Sequence, residues 1–214
     1  MTPEYEPYNP LNTANIAESL SRAVLAQTPI QLNKLTRFLG AGTYILYYTG
    51  EFEAYVNLTK LDQSGEPFLP IYVGKADPKG RRKGYTGSQV SDPLTYVPST
   101  ELFSRLTKHA ASIEAAINLR IEDFKCRYLV IEPLYAALGE SILINKYMPA
   151  WNGSLDGFGN NDPGNGRYLG LQPKWDVIHP GREWAAKCKK RNETVEKITA
   201  EVTHYIKERV TTVT

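Results

Sequence analysis

Two short segments, each with a tyrosine close to a glycine, constrain the fold of this chain more than any other feature. The first is Gly42-Thr43-Tyr44-Ile45-Leu46-Tyr47-Tyr48, and the second is Pro70-Ile71-Tyr72-Val73-Gly74-Lys75-Ala76. Both are rich in β-branched and aromatic residues and are bounded by glycine or proline, so both are predicted to be strands. Aromatic residues are common in strands. Taken alone, Tyr44 and Tyr72 are therefore more often core residues than catalysts.

The composition limits the class of protein. Hydrophobic residues make up 42% of the 214 residues and charged residues 22%, which favours a folded globular chain. The net charge is only +2, so binding to nucleic acid must depend on where the charges cluster. Two cysteines are too few for a disulfide scaffold or a tetrahedral zinc site, and we expect no zinc. We find neither a targeting leader nor an apolar stretch long enough for a membrane, and we expect a soluble, cytoplasmic protein.

The rest of the chain is predicted from periodicity and from glycine and proline positions. Asn12 or Thr13 is expected to cap a first helix that ends near Gln27. The further predicted elements are a short helix at 30–39, a strand at 52–61, a loop at 76–98, a helix beginning at Ser99 or Thr100, a core strand at 125–132, a buried helix at 134–147, a Gly/Asn/Asp-rich loop at 153–173 and a final helix at 181–209.

Glu140 is the most informative single residue. A glutamate in the middle of a helix is by default a solvated surface residue, but the residues around Glu140 are apolar on nearly every side. A buried carboxylate is costly unless it is paired or binds a metal. Mg²⁺ takes one or two carboxylates and fills its remaining positions with water and phosphate. The pattern therefore indicates a candidate metal ligand.

Arg105 and His109 are four residues apart in the predicted helix and lie on one face, beside an apolar stripe formed by Leu102, Leu106, Ala110 and Ile113. They are equally consistent with a surface pair on an amphipathic helix. If they form a site, the forked donors of arginine suit a phosphate, and histidine can exchange a proton near neutral pH.

A basic run follows the second tyrosine strand. Its members are Lys75, Lys79, Arg81, Arg82 and Lys83. Such a run is most often a solvated loop, but at the end of a catalytic strand it would suit contact with the DNA backbone. Together, the metal ligand, the arginine, the candidate bases and the basic run are the parts needed for metal-assisted hydrolysis of a phosphodiester.

These residues resemble the GIY-YIG nucleases. Gly42-Thr43-Tyr44 is similar to the first signature and Tyr72-Val73-Gly74 to the second, while Arg105 and His109 resemble the catalytic helix of the family. Glu140 falls where the family places its metal-binding glutamate, and Asn152 matches a late asparagine that could otherwise cap a turn. The sequence departs from the pattern at Thr43, which replaces the usual isoleucine, and in an insertion at about 50–67.

The resemblance implies an α/β (α+β) fold with a three-stranded antiparallel sheet flanked by helices. We expect a single domain over 1–214, with a nuclease core at about 40–152, an N-terminal arm and helices at 1–39, and a C-terminal extension at 153–214. The resemblance further implies one divalent metal ion per active site, namely Mg²⁺, for which Mn²⁺ could substitute. Tyr44, Tyr72 or His109 would accept a proton from water, and Arg105 would contact the scissile phosphate.

The chain most resembles the type II restriction endonucleases of this superfamily, in particular the group that cuts the palindrome CCGCGG. Such an enzyme would act on double-stranded DNA as a homodimer, with Arg81, Arg82, Arg167 and Lys174 in loops that could reach bases. One alternative is a repair or homing nuclease of the same fold, but no zinc-binding cluster or separate targeting module is visible. The other alternative is a DNA-binding protein without catalysis, which would have no reason to keep Glu140 together with Arg105 and both tyrosines.

Overall fold

An antiparallel sheet lies at the centre of the molecule. The computed structural model describes residues 9, 12–60, 65–78, 99–164 and 168–213. The strands are β1 (Ile30–Gln31), β2 (Gly42–Tyr48), β3 (Pro70–Ala76) and β4 (Phe124–Val130), in the order β1-β4-β2-β3. Strand β2 pairs antiparallel with both β3 and β4, and all of its residues are buried. The predicted three-stranded antiparallel sheet is confirmed, and β1 adds a short edge beside β4.

Helices cover the sheet and extend beyond it. They are α1 (Thr13–Leu25), α2 (Glu101–Ala115), α3 (Pro133–Tyr147), α4 (Ala150–Gly153), α5 (Lys174–Ile178), α6 (Glu183–Ala186) and α7 (Val195–Val213). The predicted cap of α1 is confirmed, because the Asn12 side chain accepts a hydrogen bond from the backbone N–H of Ala14 at 2.9 Å. Among the described residues, none of the helices combines the length and apolar character needed to cross a membrane.

The two faces of the sheet have different partners, since successive side chains of a strand point to opposite faces. Ile45 and Tyr47 pack with Val24 of α1 and Leu143 of α3. Tyr44 and the other side chains of the opposite face join a larger core that includes α2, α7 and residues 155–158. The site described below lies at the β3 edge of the sheet, between α2 on one face and α3 on the other.

Both signature glycines are required by close approaches. A side chain on Gly42 would overlap the backbone carbonyl oxygen of Leu129 across the β2–β4 pair. Gly74 lies opposite Tyr44 in the β2–β3 register, and a side chain there would overlap the end of the Tyr44 ring. Thr43, which departs from the family pattern, is buried and donates a hydrogen bond to the Gly74 carbonyl at 3.0 Å. Its hydroxyl is therefore satisfied within the sheet.

Two predictions for the N-terminal half are wrong. Residues 30–39 do not form a helix, because Ile30 and Gln31 pair with β4 and only Leu32–Lys34 make a 3₁₀ turn. The strand predicted at 52–61 is wrong over its described residues, 52–60, which contain the 3₁₀ helix Glu53–Leu58. The buried residues of this segment are Ala54, Tyr55 and Leu58, a helical spacing that packs against α7. Tertiary contacts decided both segments.

Two helix predictions need correction. The predicted final helix at 181–209 is interrupted, since α6 ends at Ala186 and α7 begins only at Val195, with a β-bridge between Leu171 and Lys189 in the gap. Helix α3 is not buried all round, because one side of it is exposed, including Tyr135 at 39%. Helix α3 therefore has more apolar residues than the fold buries.

Candidate active site

An open cleft of about 450 Å³ lies at the C-terminal end of β3, where α2 and α3 approach the sheet edge from opposite faces. Helix α2 supplies Arg105 and helix α3 supplies Glu140. The residues lining the cleft are Lys75, Ala76, Asp77, Pro78, Glu101, Ser104, Arg105, Lys108, Glu140 and Asn161. The sheet edge therefore brings together two predicted site residues that are far apart in the chain.

Tyr44 and His109 form a buried pair behind this cleft. The Tyr44 hydroxyl lies 2.5 Å from Nε2 of His109, and both side chains are almost fully buried. The imidazole stacks on the ring of Phe158, with ring centroids 4.6 Å apart. Burial lowers the pKa of His109 well below its usual value, and the charges of Arg105 and Arg182 lower it further. His109 is therefore neutral at pH 7. Because its side chain is buried, the alternative of a surface pair with Arg105 is wrong.

Arg105 lies between the tyrosines and the cleft. Its Nη2 donates to the backbone carbonyl of Gly159 at 3.3 Å, while its buried Nε has no hydrogen-bond partner among the described residues. Burial would lower the pKa of Arg105, but the neighbouring Tyr44 and Tyr72 hydroxyls outweigh it and raise the pKa above its usual value. The guanidinium therefore stays charged, as a residue that contacts a phosphate requires.

Tyr72 is the second tyrosine of the cluster. Its ring centroid lies 6.2 Å from that of Tyr44 and 5.2 Å from that of His109. Burial raises the pKa of both tyrosines, and the positive charge of Arg105 opposes that rise. Tyr72 keeps 8% of its surface exposed, whereas Tyr44 is fully buried. Neither phenol is ionised at neutral pH, so as a base either one would have to pass on its own proton or receive help from a cation.

Glu140 faces the cleft from α3 and is half-buried. Burial raises the pKa of Glu140, the charge of Lys75 opposes the rise, and Asp77 adds to it. The backbone N–H of Lys75 also lowers the pKa of Glu140 and so opposes the rise. The side chain of Lys75 is itself engaged with Asp77, at 2.7 Å.

This donor set fits a divalent ion of the Mg²⁺ type. The described part of the chain has no cluster of three or more His, Cys, Asp or Glu side chains that could enclose a metal. The cleft instead offers the Glu140 carboxylate, with Asp77 near it and open space for water and a phosphate. Mg²⁺ keeps several waters and uses one or two carboxylates, so a site of this kind suits it.

Asn152, in the short helix α4, makes two hydrogen bonds to one residue of the sheet. Its Oδ1 accepts from the backbone N–H of Val73 at 2.8 Å, and its Nδ2 donates to the Val73 carbonyl at 2.8 Å. Strand β3 is at the edge of the sheet, so Asn152 supplies the two bonds that a further strand would supply. It thereby holds the residue that follows Tyr72.

Two of the predicted DNA-contacting residues can be placed. Lys75 lies at the cleft, and Lys174 begins α5, where it forms an ion pair with Glu201 at 2.9 Å. The predictions for Lys79, Arg81, Arg82 and Lys83, for the rest of the loop at 79–98, and for Arg167 lie outside the described residues.

Two parts of the site are not predicted from the sequence: a segment of the polar loop at 153–173, and Lys108 of α2. Phe158 and Gly159 belong to the polar loop after the predicted core, yet Phe158 covers His109 and the Gly159 carbonyl binds Arg105. The sequence signal for Phe158 is a large apolar residue inside a Gly/Asn-rich segment. Lys108 also lines the cleft, one helical turn after Arg105, and its spacing on α2 could have revealed it.

Comparison with known proteins identifies the family. The model of the family described as the Eco29kI GIY-YIG domain matches residues 36–206, which covers most of the chain and all six predicted catalytic positions. No curated protein matches the chain. The extent of the match and the antiparallel sheet with its flanking helices place this chain in the Eco29kI family of GIY-YIG restriction endonucleases, which are DNA endonucleases.

Proposed function

We propose that the protein is a type II restriction endonuclease that hydrolyses phosphodiesters of double-stranded DNA at a specific sequence, with one divalent metal ion per active site. The observation that carries the proposal is the convergence of Arg105 and Glu140 on one open cleft. A phosphate in the cleft would meet the charged guanidinium of Arg105. A DNA-binding protein without catalysis would not need a half-buried carboxylate beside it.

Glu140 would hold the metal ion, and Asp77, whose charge acts on Glu140, lines the same cleft. The bound ion, Mg²⁺ or Mn²⁺, would act as a Lewis acid that stabilises negative charge on the phosphate and on the leaving oxygen. Use of divalent metals is general among GIY-YIG nucleases, and the Glu140 carboxylate in the open cleft supports the same use here.

The chain's own residues would manage the phosphate charge and the proton. The oxygen of water forms a bond to phosphorus, the bond from phosphorus to the leaving sugar oxygen breaks, and Arg105 stabilises the charge that develops on the phosphate. With the ring proton of His109 on Nδ1, the Tyr44 hydroxyl donates its own proton to Nε2 across the 2.5 Å contact. Tyr44 could then accept the proton of water while His109 takes the phenol proton. Tyr72, which is more exposed, is the alternative acceptor.

The target sequence is proposed to be a GC-rich palindrome, and CCGCGG is the first sequence to test, because the chain resembles the group that cuts it. Cleavage of both strands by chains with one such cleft each requires two chains related by a two-fold axis. Sedimentation of the protein with a single-site duplex is expected to show two chains on the DNA. A complex with one chain that still breaks both strands in one event would refute the homodimer.

The experiment that tests the proposed function is end mapping on a long duplex of known sequence, with Mg²⁺ or Mn²⁺ and with EDTA. Wild-type protein is expected to give discrete fragments with one common end sequence, only when metal is present. Glu140→Gln is the matched control, expected to bind DNA but not to cut it. Nicking at damaged sites would favour a repair nuclease, and binding without any cleavage would leave a DNA-binding protein.

A further inference from the structure

Arg182 is a buried arginine outside the predicted nuclease core, in the connection between α5 and α6. It forms a two-pronged ion pair with Asp176, with Nε to Oδ1 at 2.6 Å and Nη2 to Oδ2 at 2.5 Å. Both side chains are at most 4% exposed, and the guanidinium lies over the ring of Trp175, 4.5 Å from its centroid. Neither partner lines the cleft, so the pair does not act on the substrate directly.

The remaining donors of Arg182 bind the backbone of one loop. Nη2 donates to the carbonyl of Gly157 at 2.9 Å, and Nη1 donates to the carbonyls of Phe158 at 3.0 Å and Asn160 at 3.4 Å. This loop, residues 157–160, contains two glycines, and Gly157 has a φ of +103°. Glycine-rich backbone has many alternative conformations. A buried guanidinium that donates to three carbonyls of the loop stabilises one of these conformations.

Two of these four residues, Phe158 and Gly159, touch three predicted catalytic side chains. Phe158 stacks on the His109 ring and meets the Tyr72 ring edge-on, with centroids 5.0 Å apart. The Gly159 carbonyl accepts from Arg105. Gly159 packs so closely that an added Cβ would lie 2.8 Å from the Tyr72 hydroxyl oxygen and 3.3 Å from Nη2 of Arg105. The position of the loop therefore fixes the space available to those groups.

We propose that Arg182 is a positioning residue of the active site: with Asp176, it holds loop 157–160 against His109, Tyr72 and Arg105. The inference rests on the proposed nuclease function, and it makes the C-terminal extension an integral part of the catalytic centre. The alternative is that the ion pair only stabilises the fold. The two roles predict different cleavage rates for variants that remain folded. Only a positioning role lowers the rate of folded protein, since a displacement of about 1 Å at a catalytic group can cost on the order of 10²-fold in rate.

The first test changes the loop without touching the ion pair. Gly159→Ala adds one methyl group against Tyr72 and Arg105, whereas Gly170→Ala adds the same group where nothing lies within 4 Å. Single-turnover cleavage is measured with DNA saturated by protein, and DNA affinity is measured separately in Ca²⁺. Gly159→Ala is expected to cut about 10- to 100-fold more slowly with unchanged affinity, and Gly170→Ala at the wild-type rate. A wild-type rate for Gly159→Ala would overturn the inference.

The second test changes Arg182 to lysine, which keeps the charge but cannot bind Asp176 and three carbonyls together. The control is Val202→Ala, a change at a fully buried position of α7 that lowers stability and leaves Arg182 and Asp176 intact. At a temperature where all variants are folded, Arg182→Lys is expected to lose turnover about 10-fold or more at unchanged DNA affinity, and Val202→Ala to lose none. Equal loss in both, or none in Arg182→Lys, would overturn the inference.

A third readout does not depend on cleavage. The chain has three histidines, and exposed His204 in α7 serves as the reference for the ring signals of His109 in nitrogen-detected NMR. Arg182→Lys is expected to shift the His109 ring signals without DNA, while those of His204 stay in place. Unchanged His109 signals would refute the positioning role. If Arg182→Lys shifts the His109 signals but wild-type protein cuts no DNA, the proposed function fails and the positioning contact stands.

Discussion

Removing the Asn152 side chain tests whether this residue acts through strand β3. In Asn152→Ala, the backbone N–H and carbonyl of Val73 lose both of their side-chain partners at the sheet edge. Two neutral hydrogen bonds contribute about 0.5–1.5 kcal/mol each, so the free energy of unfolding is expected to fall by about 2 kcal/mol. For a chain of this size that corresponds to a decrease in Tm of about 4–8 °C.

The assay combines thermal unfolding with single-turnover cleavage at a temperature well below both transitions. Because Tyr72 directly precedes Val73, we expect a loss of cleavage that is smaller than the loss in Glu140→Gln, at unchanged DNA affinity. Asn152→Asp is the matched variant: it keeps an acceptor for the Val73 N–H but places an oxygen against the Val73 carbonyl. We expect Asn152→Asp to be at least as unstable as the alanine variant.

One result would refute the reasoning. If Asn152→Ala unfolded at the wild-type Tm and yet lost all cleavage, Asn152 would act on the DNA or the metal, and the two hydrogen bonds to Val73 would contribute nothing measurable.

Three further predictions concern the cleft. Arg105→Lys is expected to cut about 10²–10³-fold more slowly in single turnover, because one ammonium cannot replace the fork beside a phosphate; a rate within threefold would contradict this. Tyr44→Phe or Tyr72→Phe should lower the rate by on the order of 10²–10⁴ at the tyrosine that accepts the proton, and full activity in both variants would move the base to His109. Because burial raises the folded-state pKa of Glu140, its charge destabilises the fold as pH rises through that value. Glu140→Gln in EDTA should thus melt above wild type at pH 7.5, with the gain fading as pH falls towards the ordinary carboxyl pKa; equal gains at pH 7.5 and pH 4.5 would contradict the burial argument.

Local patterns in the sequence determined the central elements of the fold. The β-branched and aromatic run at Gly42–Tyr48 gave the predicted strand with the same bounds, and the cap at Asn12 marked the start of α1. Spacing on α2 placed Arg105 and His109 on one face, as observed. These features depend on residues a few positions apart, where strand alternation, helix periodicity and capping act directly.

The sequence left the partners of those elements undetermined. Residues 30–39 and 52–60 have apolar spacings compatible with more than one secondary structure. Pairing with β4 determined the structure of the first segment, and packing against α7 determined that of the second. Whether His109 is buried depends on Phe158, which lies 49 positions later in the chain. That contact between distant residues arises only when the extension folds back over α2.

The sequence by itself thus predicted the three long strands, helix α2, and Lys75, Arg105 and Glu140 among the residues that line the cleft. The tertiary structure alone decided that Asn152 completes the edge of β3 and that Arg182 holds the loop over His109 and Arg105. The physical reason is that both side chains satisfy backbone groups of segments remote in the chain. Periodicity records which face of an element is apolar, but carries no record of which distant carbonyl a buried side chain will bind.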